Sequence, residues 1–113
     1  MKLREIVDRV KLKVLCGGEE LDREVTGGYS GDLLSDVIAN SKSGNVWLTM
    51  QAHVNIVAVA VLKELAAIII VQGRTVAEET LKKAREEKVT ILVTEMPAFE
   101  TAGILNKMGV GAV

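Results

Sequence analysis

Residues 46–71 read VWLTMQAHVNIVAVAVLKELAAIIIV, and this stretch decides the fold class. The apolar run at 46–49 predicts a short strand, and the continuous run at 67–71 predicts a strand buried on both faces. Between them, apolar residues at helical spacing predict a helix over 53–65 that is apolar nearly all round and therefore covered on both sides. The many β-branched residues leave a strand as the rival interpretation, but the length of the segment favours the helix.

The rest of the chain continues this alternation of strands and helices. The other predicted elements, in chain order, are a helix at 3–10, strands at 12–16 and 23–26, helices at 31–40 and 76–88, a strand at 90–94, a helix at 97–108 and a final strand at 110–113. Ser30 is the predicted N-cap of one helix, and Thr75 with Glu78 has the spacing of a capping box. The order predicts a single domain over 1–113 with an α/β fold, a three-layer sandwich whose mostly parallel sheet carries helices on both faces.

Composition and charge exclude several classes of protein. Apolar residues make up 49% of the chain and charged residues 26%, which is typical of a globular domain. The 14 basic and 15 acidic residues give a net charge of −1, which argues against a nucleic-acid-binding protein and a polybasic membrane anchor. Lys63 and Glu64 interrupt the longest apolar stretch, so each half is too short to span a membrane. The single cysteine and the lack of a signal-peptide pattern favour the cytoplasm.

A glycine-rich segment at 22–32 leads from a strand into a helix and is the first candidate for ligand binding. Glycines let a backbone approach a ligand, a helix N-terminus attracts anions, and Thr26 and Ser30 add hydroxyl groups. Asp32 opposes this interpretation because it repels a phosphate, and the spacing matches neither G-x-x-x-x-G-K-[ST] nor G-x-G-x-x-G. The alternative, which the pattern favours, is that the glycines supply the positive φ angles of tight turns.

A polar cluster that follows the strand at 46–49 is the second candidate. His53 is the only histidine, and Thr49, Gln51 and Asn55 lie near it in sequence. Ligands of α/β sheets collect at the carboxyl ends of strands, where these residues are predicted. The alternative, which is favoured, is that His53 and Asn55 cap the following helix or hold the end of the strand that contains Trp47, and the loss of such a cap costs about 0.5–2 kcal/mol. Cys16 is predicted to pack as an ordinary buried thiol.

The two candidates together define the predicted ligand site. No catalytic residue, metal ligand or cofactor is predicted, because no acid–base pair and no metal-ligand spacing is present. The residues predicted to bind a ligand are Thr26, Gly27, Gly28, Ser30, Asp32, Thr49, Gln51, His53 and Asn55.

Two blocks of sequence resemble the DRTGG domain family. The first is DREVTGGYSGDLLSDV at 22–37, and the second is VWLTMQAHVNIVAVA at 46–60. Residues 24–25 separate Asp22–Arg23 from Thr26 in this chain, so the motif that names the family is not contiguous here. The resemblance covers nearly the whole chain, and it implies an α/β sandwich similar to the N-terminal domain of the bacterial HPr kinase/phosphorylase.

Domains of this family occur alone, within phosphate acetyltransferases and between the CBS domains of regulated pyrophosphatases, and the resemblance implies regulation and subunit contacts without catalysis. The first hypothesis is therefore a non-catalytic regulatory module that forms a homodimer, in which a second copy covers the apolar helices. The alternative to the homodimer is that these helices are sandwiched within one compact domain. The second hypothesis is a sensor of an adenine nucleotide or another anion. The third is a small enzyme that uses His53 with Asp32 or Cys16. No kinase or ATPase turnover is expected, because the sequence contains no P-loop.

Overall fold

Residues 1–111, which a computed structural model describes, contain five strands and five α-helices. In chain order these are α1 (Leu3–Val10), β1 (Lys13–Cys16), β2 (Gly27–Ser30), α2 (Leu34–Asn40), β3 (Asn45–Thr49), α3 (Asn55–Lys63), β4 (Ala67–Ile70), α4 (Glu78–Glu87), β5 (Ile91–Val93) and α5 (Ala98–Lys107). A short 3-10 helix at Gly18–Glu20 follows β1.

The five strands form one sheet in the order β1-β5-β4-β3-β2. Strands β2 to β5 are parallel and lie in sequential order, and only β1 is antiparallel to its neighbour. Each of α2, α3 and α4 connects two neighbouring parallel strands. The predicted α/β class with a mostly parallel sheet is therefore confirmed.

Helices cover both faces of the sheet, so there are two hydrophobic cores. On one face α1 and α5 pack against strand residues such as Leu48, Ile69 and Leu92. On the other face α2, α3 and α4 pack against the alternate residues, among them Trp47 and Ile68. Because successive side chains of a strand point to opposite faces, a strand between two helical layers must be apolar at every position. Strand β4 meets this requirement, since all four of its residues are buried.

Helix α3 confirms the helical interpretation of the segment rich in β-branched residues, and its backbone leaves the helix at Glu64 with φ 53°. Its inward side buries Ile56, Val57 and two further residues. Within residues 1–111 the chain itself covers only the inward side, because Leu62 on the outward side is 65% exposed, so the rival expectation that the apolar helices are sandwiched within one compact domain is wrong for α3. Outward-facing apolar residues thus remain on the central helix of this layer.

The glycine-rich segment folds differently from its predicted elements. The strand expected at 23–26 lies instead at Gly27–Ser30, and Glu24 makes only an isolated bridge to the amino-terminal segment. The helix expected from residue 31 begins at Leu34, so Ser30 is a strand residue and not an N-cap. Residues 31–33 stay outside the helix because their groups form hydrogen bonds to β3 and to the residues that follow it, as described below.

Two further predictions fail at the ends of elements. Helix α4 begins at Glu78 with Ala77 as its N-cap and no side-chain cap, so the capping box predicted from Thr75 does not form. No strand forms at Val110 or Gly111, and the remainder of the strand predicted at 110–113 lies outside the described residues.

Candidate functional site

The predicted ligand residues are divided between the two ends of the parallel strands β2 and β3. Thr26 and Gly27 lie at the amino ends, whereas Asp32, Thr49 and Gln51 lie at the carboxyl ends. A four-residue strand spans about 13 Å, so the residues at the amino ends and those at the carboxyl ends are too far apart to contact the same atoms of a small ligand. The structure therefore does not bring the predicted set together as one site.

At the amino ends, Thr26 joins two loops. Its hydroxyl donates a hydrogen bond to the Ser43 carbonyl oxygen at 2.7 Å and accepts one from the Asn45 Nδ2 at 3.2 Å. Gly44 packs against the same side chain with φ 83°, where a Cβ atom would lie 2.6 Å from the Thr26 methyl carbon. These contacts use Thr26 to hold the turn that precedes β3.

Close packing requires a glycine at position 27 of β2, whereas a Cβ atom at Gly28 would meet its nearest atom at 3.7 Å, an ordinary contact distance. None of Gly27, Gly28 and Gly31 has a positive φ angle, so the predicted role in turn geometry is wrong for these three. A Cβ atom at position 27 would lie 2.7 Å from the Gly111 carbonyl oxygen, which is too close for any side chain. Because these glycines belong to or directly follow an edge strand, the segment also lacks the loop-to-helix form of a phosphate cradle.

At the carboxyl ends, Asp32 connects β2 to β3. Its carboxylate accepts hydrogen bonds from the Thr49 hydroxyl at 2.8 Å and from the Met50 backbone N–H at 2.7 Å. The Gln51 side chain donates a hydrogen bond to the Asp32 carbonyl oxygen at 3.0 Å. Because the Asp32 carboxylate accepts both of these hydrogen bonds, it holds the residue after β2 to the end of β3, and we call this set of contacts the Asp32 latch. Its negative charge also disfavours the binding of an anion at this point.

A second set of polar contacts fixes the same edge of the sheet. The Trp47 indole N–H donates to the Gly31 carbonyl oxygen at 2.8 Å, and the Tyr29 hydroxyl donates to the Asp36 carboxylate. The hydrogen bond to Asp36 stabilises the protonated hydroxyl, so it raises the pKa of Tyr29 above its ordinary value. Sequence reasoning did not identify this pair, because a Tyr and an Asp seven residues apart carry no motif.

His53 and Asn55 do not cap α3. Both side chains are exposed, Asn55 is itself the first helical residue, and no side chain caps the helix start. Within residues 1–111 neither side chain makes a hydrogen bond, so the capping hypothesis is wrong in this structure. Both side chains are exposed to solvent, and within the described residues no ion pair joins His53 to a carboxylate.

Cys16 is buried, and its thiol lies 3.5 Å from the Val89 carbonyl oxygen. Burial raises the pKa of the Cys16 thiol, which disfavours the reactive thiolate form. Over residues 1–111, no group of three His, Cys, Asp or Glu side chains is placed to hold a metal ion. In the same range no helix has the length and apolar character needed to cross a membrane.

An uncharged cleft of about 230 Å³ lies over the edge of the sheet, between β2 and α5. Gly28 and Ser30 of the predicted site line it together with Leu48, and α5 contributes Leu105 and Asn106. No lining side chain carries a charge. The cleft therefore has the size and polarity for a neutral planar group and has no cation for a phosphate.

The outward face of α2 and α3 is an apolar surface that the described part of the chain leaves uncovered. Ala58, Val61 and Leu62 of α3 are exposed, and Ile38 of α2 is 37% exposed. The neighbouring helix α4 differs, because its outward positions are occupied by charged residues: Glu78, Glu79, Lys82, Lys83, Arg85, Glu86 and Glu87. Two helices in one layer therefore have opposite surface chemistry.

Comparison with solved structures shows the same fold in a larger regulatory protein. A crystal structure of the CBS and DRTGG domains of the regulatory region of Clostridium perfringens pyrophosphatase, complexed with the activator diadenosine tetraphosphate, matches with a TM-score of 0.73 and 14% sequence identity. The match covers 92% of this chain and 45% of that chain, so the present chain spans less than half the length of the crystallised regulatory region. No curated protein matches the chain by sequence.

The family comparison covers most of the chain. The model of the DRTGG domain matches residues 5–108, which includes both sequence blocks and every helix and strand from α2 to α5. The fold agrees with that of the pyrophosphatase regulatory region. The chain therefore belongs to the DRTGG domain family.

Proposed function

We propose that this protein is a non-catalytic regulatory module that associates with a second copy of itself through the outward face of α2 and α3. The observation that carries the proposal is the exposed apolar surface on α3 beside the charged surface of α4. A helix that faces solvent normally has polar residues on its outer side, as α4 has, and an apolar outer side is typical of a contact surface.

A second copy fits this face because the face is apolar and uncharged, so two copies of it can pack against each other. Val61 and Leu62 are 44% and 65% exposed, and the outward positions of α3 from Asn55 to Leu62 carry no charge. An uncharged apolar patch can pair with its own copy around a two-fold axis without bringing like charges together. A partner with a strongly charged surface would gain nothing from it.

The size of the face sets the expected strength of the contact. The nine residues of α3 span about 13 Å, and two neighbouring helices are together about 20 Å wide. The resulting area is well below the roughly 800 Å² per partner of a standard stable interface. Self-association through this face alone is therefore expected in the micromolar range or weaker, so that it responds to protein concentration.

Light scattering coupled to size exclusion tests this proposal. The mass is expected to rise above that of one 12.2 kDa chain as the protein is concentrated, and Leu62→Glu is expected to abolish the rise. Phe99→Glu is the matched control, because Phe99 is 89% exposed but lies on α5, on the opposite face of the sheet. A single-chain mass at every concentration, or an equal loss in both variants, contradicts the proposal.

The absence of catalysis is tested separately. The family is regulatory, and the sequence contains no P-loop. Incubation with ATP, Mg²⁺ and HPr protein is expected to give no phosphate transfer above a control without the domain. Transfer that disappears on a point mutation in this chain contradicts the proposal.

A second candidate function is that of a sensor for an adenine nucleotide, and the uncharged cleft beside Gly28 and Ser30 favours it. The pyrophosphatase regulatory region was crystallised with a dinucleotide activator, and the cleft here has room for a single base. Asn106 lies in the wall, and an asparagine amide pairs well with the edge of adenine. Adenosine is expected to raise the melting temperature of the wild type but not of Asn106→Ala. An equal effect of uridine contradicts recognition of adenine.

A further inference from the structure

The connections after β4 and β5 open a crevice at the carboxyl ends of these strands. Strand β4 is followed by α4 on one face of the sheet, whereas β5 is followed by α5 on the opposite face. In α/β sheets, ligands bind where two adjacent strands send their connections to opposite faces, because the chain leaves a gap there. None of the residues predicted from the sequence lies at this point.

A cleft of about 480 Å³ occupies this position. Its lining contains three basic residues, Lys11, Lys13 and Arg74, and one acidic residue, Glu95. Within residues 1–111 no ion pair at 4.0 Å or less involves any of these four side chains. The cleft therefore concentrates an excess of two positive charges on a protein whose net charge is −1.

The basic residues reach the cleft from two separate parts of the chain, the connection between α1 and β1 and the turn after β4. Lys11 ends α1 with φ 61°, Lys13 begins β1, and Arg74 follows β4 and donates a hydrogen bond from Nε to the Met50 carbonyl oxygen at 3.4 Å. The antiparallel pairing of Lys13 with Val93 brings the start of β1 to the carboxyl end of β5. Because the sheet positions all three, the cluster is a product of the fold and has no sequence motif.

The single carboxylate lies against the backbone at Gly73. The turn after β4 has φ 62° at both Gln72 and Gly73, and a Cβ atom at Gly73 would collide with the Glu95 carboxylate. A glycine at this position thus makes room for the acidic side chain beside the cleft. An incoming anion meets this carboxylate as its only acidic neighbour in the lining.

We propose that this cleft, which is separate from the α2–α3 face and from the cleft beside Gly28, binds the phosphate chain of a small molecule. Three cations around one crevice favour a ligand that carries several negative charges over a ligand that carries one carboxylate or no charge. The cations are exposed, so each contributes modestly and the binding depends strongly on salt.

Calorimetric titration with inorganic triphosphate at low ionic strength tests the proposal. Lys13→Ala and Arg74→Ala are each expected to weaken binding about two- to fivefold, since an exposed ion pair contributes about that factor. Glu95→Gln is expected to tighten binding, because it removes the only carboxylate of the cleft. Lys82→Ala is the matched control: it removes the same charge from the exposed side of α4 and is expected to leave affinity unchanged.

The outcomes separate a site from general charge attraction. Equal weakening in Lys82→Ala and Arg74→Ala overturns the proposal, as does an absence of triphosphate binding by the wild type or unchanged affinity in Glu95→Gln. ATP in place of inorganic triphosphate shows whether the cleft binds the phosphate chain alone or a nucleotide that carries it. Light scattering on the same variants keeps this result distinct from self-association, which none of these substitutions is expected to change.

Discussion

The latch formed by Asp32 provides the sharpest test of whether the polar residues after β2 and β3 stabilise the fold or bind a ligand. Asp32→Ala removes the acceptor of two hydrogen bonds, at 2.8 Å from the Thr49 hydroxyl and 2.7 Å from the Met50 N–H. Hydrogen bonds to a charged group contribute about 1.5–3 kcal/mol each when buried. Because Asp32 itself is exposed and water can replace it in part, we expect a total loss of about 2 kcal/mol, or about 8 °C in Tm for a chain of this size.

Urea unfolding followed by circular dichroism measures this loss, and a double-mutant cycle identifies its cause. Thr49 is 1% exposed, and Thr49→Val removes its hydroxyl with little change in shape. We expect a coupling free energy of about 1 kcal/mol between the two sites. Asp8→Ala removes the same charge from an exposed position of α1 and is expected to change stability by less than about 0.5 kcal/mol. An unfolding midpoint of Asp32→Ala equal to that of the wild type refutes the latch.

Three further predictions concern single contacts. Tyr29→Phe is expected to destabilise the protein below pH 10.0, the ordinary pKa of the side chain, because the hydrogen bond to Asp36 stabilises the protonated hydroxyl in the folded state. This difference from wild type is expected to disappear as the pH rises through the raised pKa of the folded protein, where the hydroxyl ionises and can no longer donate; denaturant midpoints across that range measure it. Gly27→Ala is expected to cost more than about 1 kcal/mol because its Cβ atom would meet the Gly111 carbonyl, whereas Gly103→Ala, with open space in α5, is expected to stabilise by about 0.5–1 kcal/mol. Thermal melts showing the same sign for both glycines would contradict this account. His53→Ala is expected to leave the unfolding free energy within about 0.5 kcal/mol of wild type, and a loss of about 1 kcal/mol or more would restore the capping role.

The central elements of the fold are predictable because their signals are local. A strand buried on both faces is apolar at successive positions, as residues 67–70 are, and the helix at 3–10 has apolar residues at helical spacing. Pro97 and Gly109 mark the two ends of the helix at 98–107. These patterns place α1, α3, α5 and the strands β3 to β5 correctly, and their order predicts the parallel sheet.

The segment around β2 is not predictable in the same way because its local signals conflict with tertiary contacts. Glycine has little intrinsic preference for strands, yet Gly27 and Gly28 form one, since the edge pairs with β3 and the backbone near Gly111 approaches too closely for a side chain. Ser30 and Asp32 are residue types that favour a helix start, but the hydrogen bonds of Asp32 to Thr49 and Met50 keep the chain out of the helix until Leu34.

The sequence by itself determined the α/β class, the family and the buried strands, because periodicity and the two sequence blocks depend only on residues that are close along the chain. The tertiary structure alone decided which surfaces exist. It separated Thr26 from Asp32 by the length of a strand, left Leu62 exposed on the outward side of α3, and brought Lys11 and Arg74 to one crevice. Surfaces of this kind join residues that are distant in sequence, so their positions follow from strand order and helix placement and not from any local pattern.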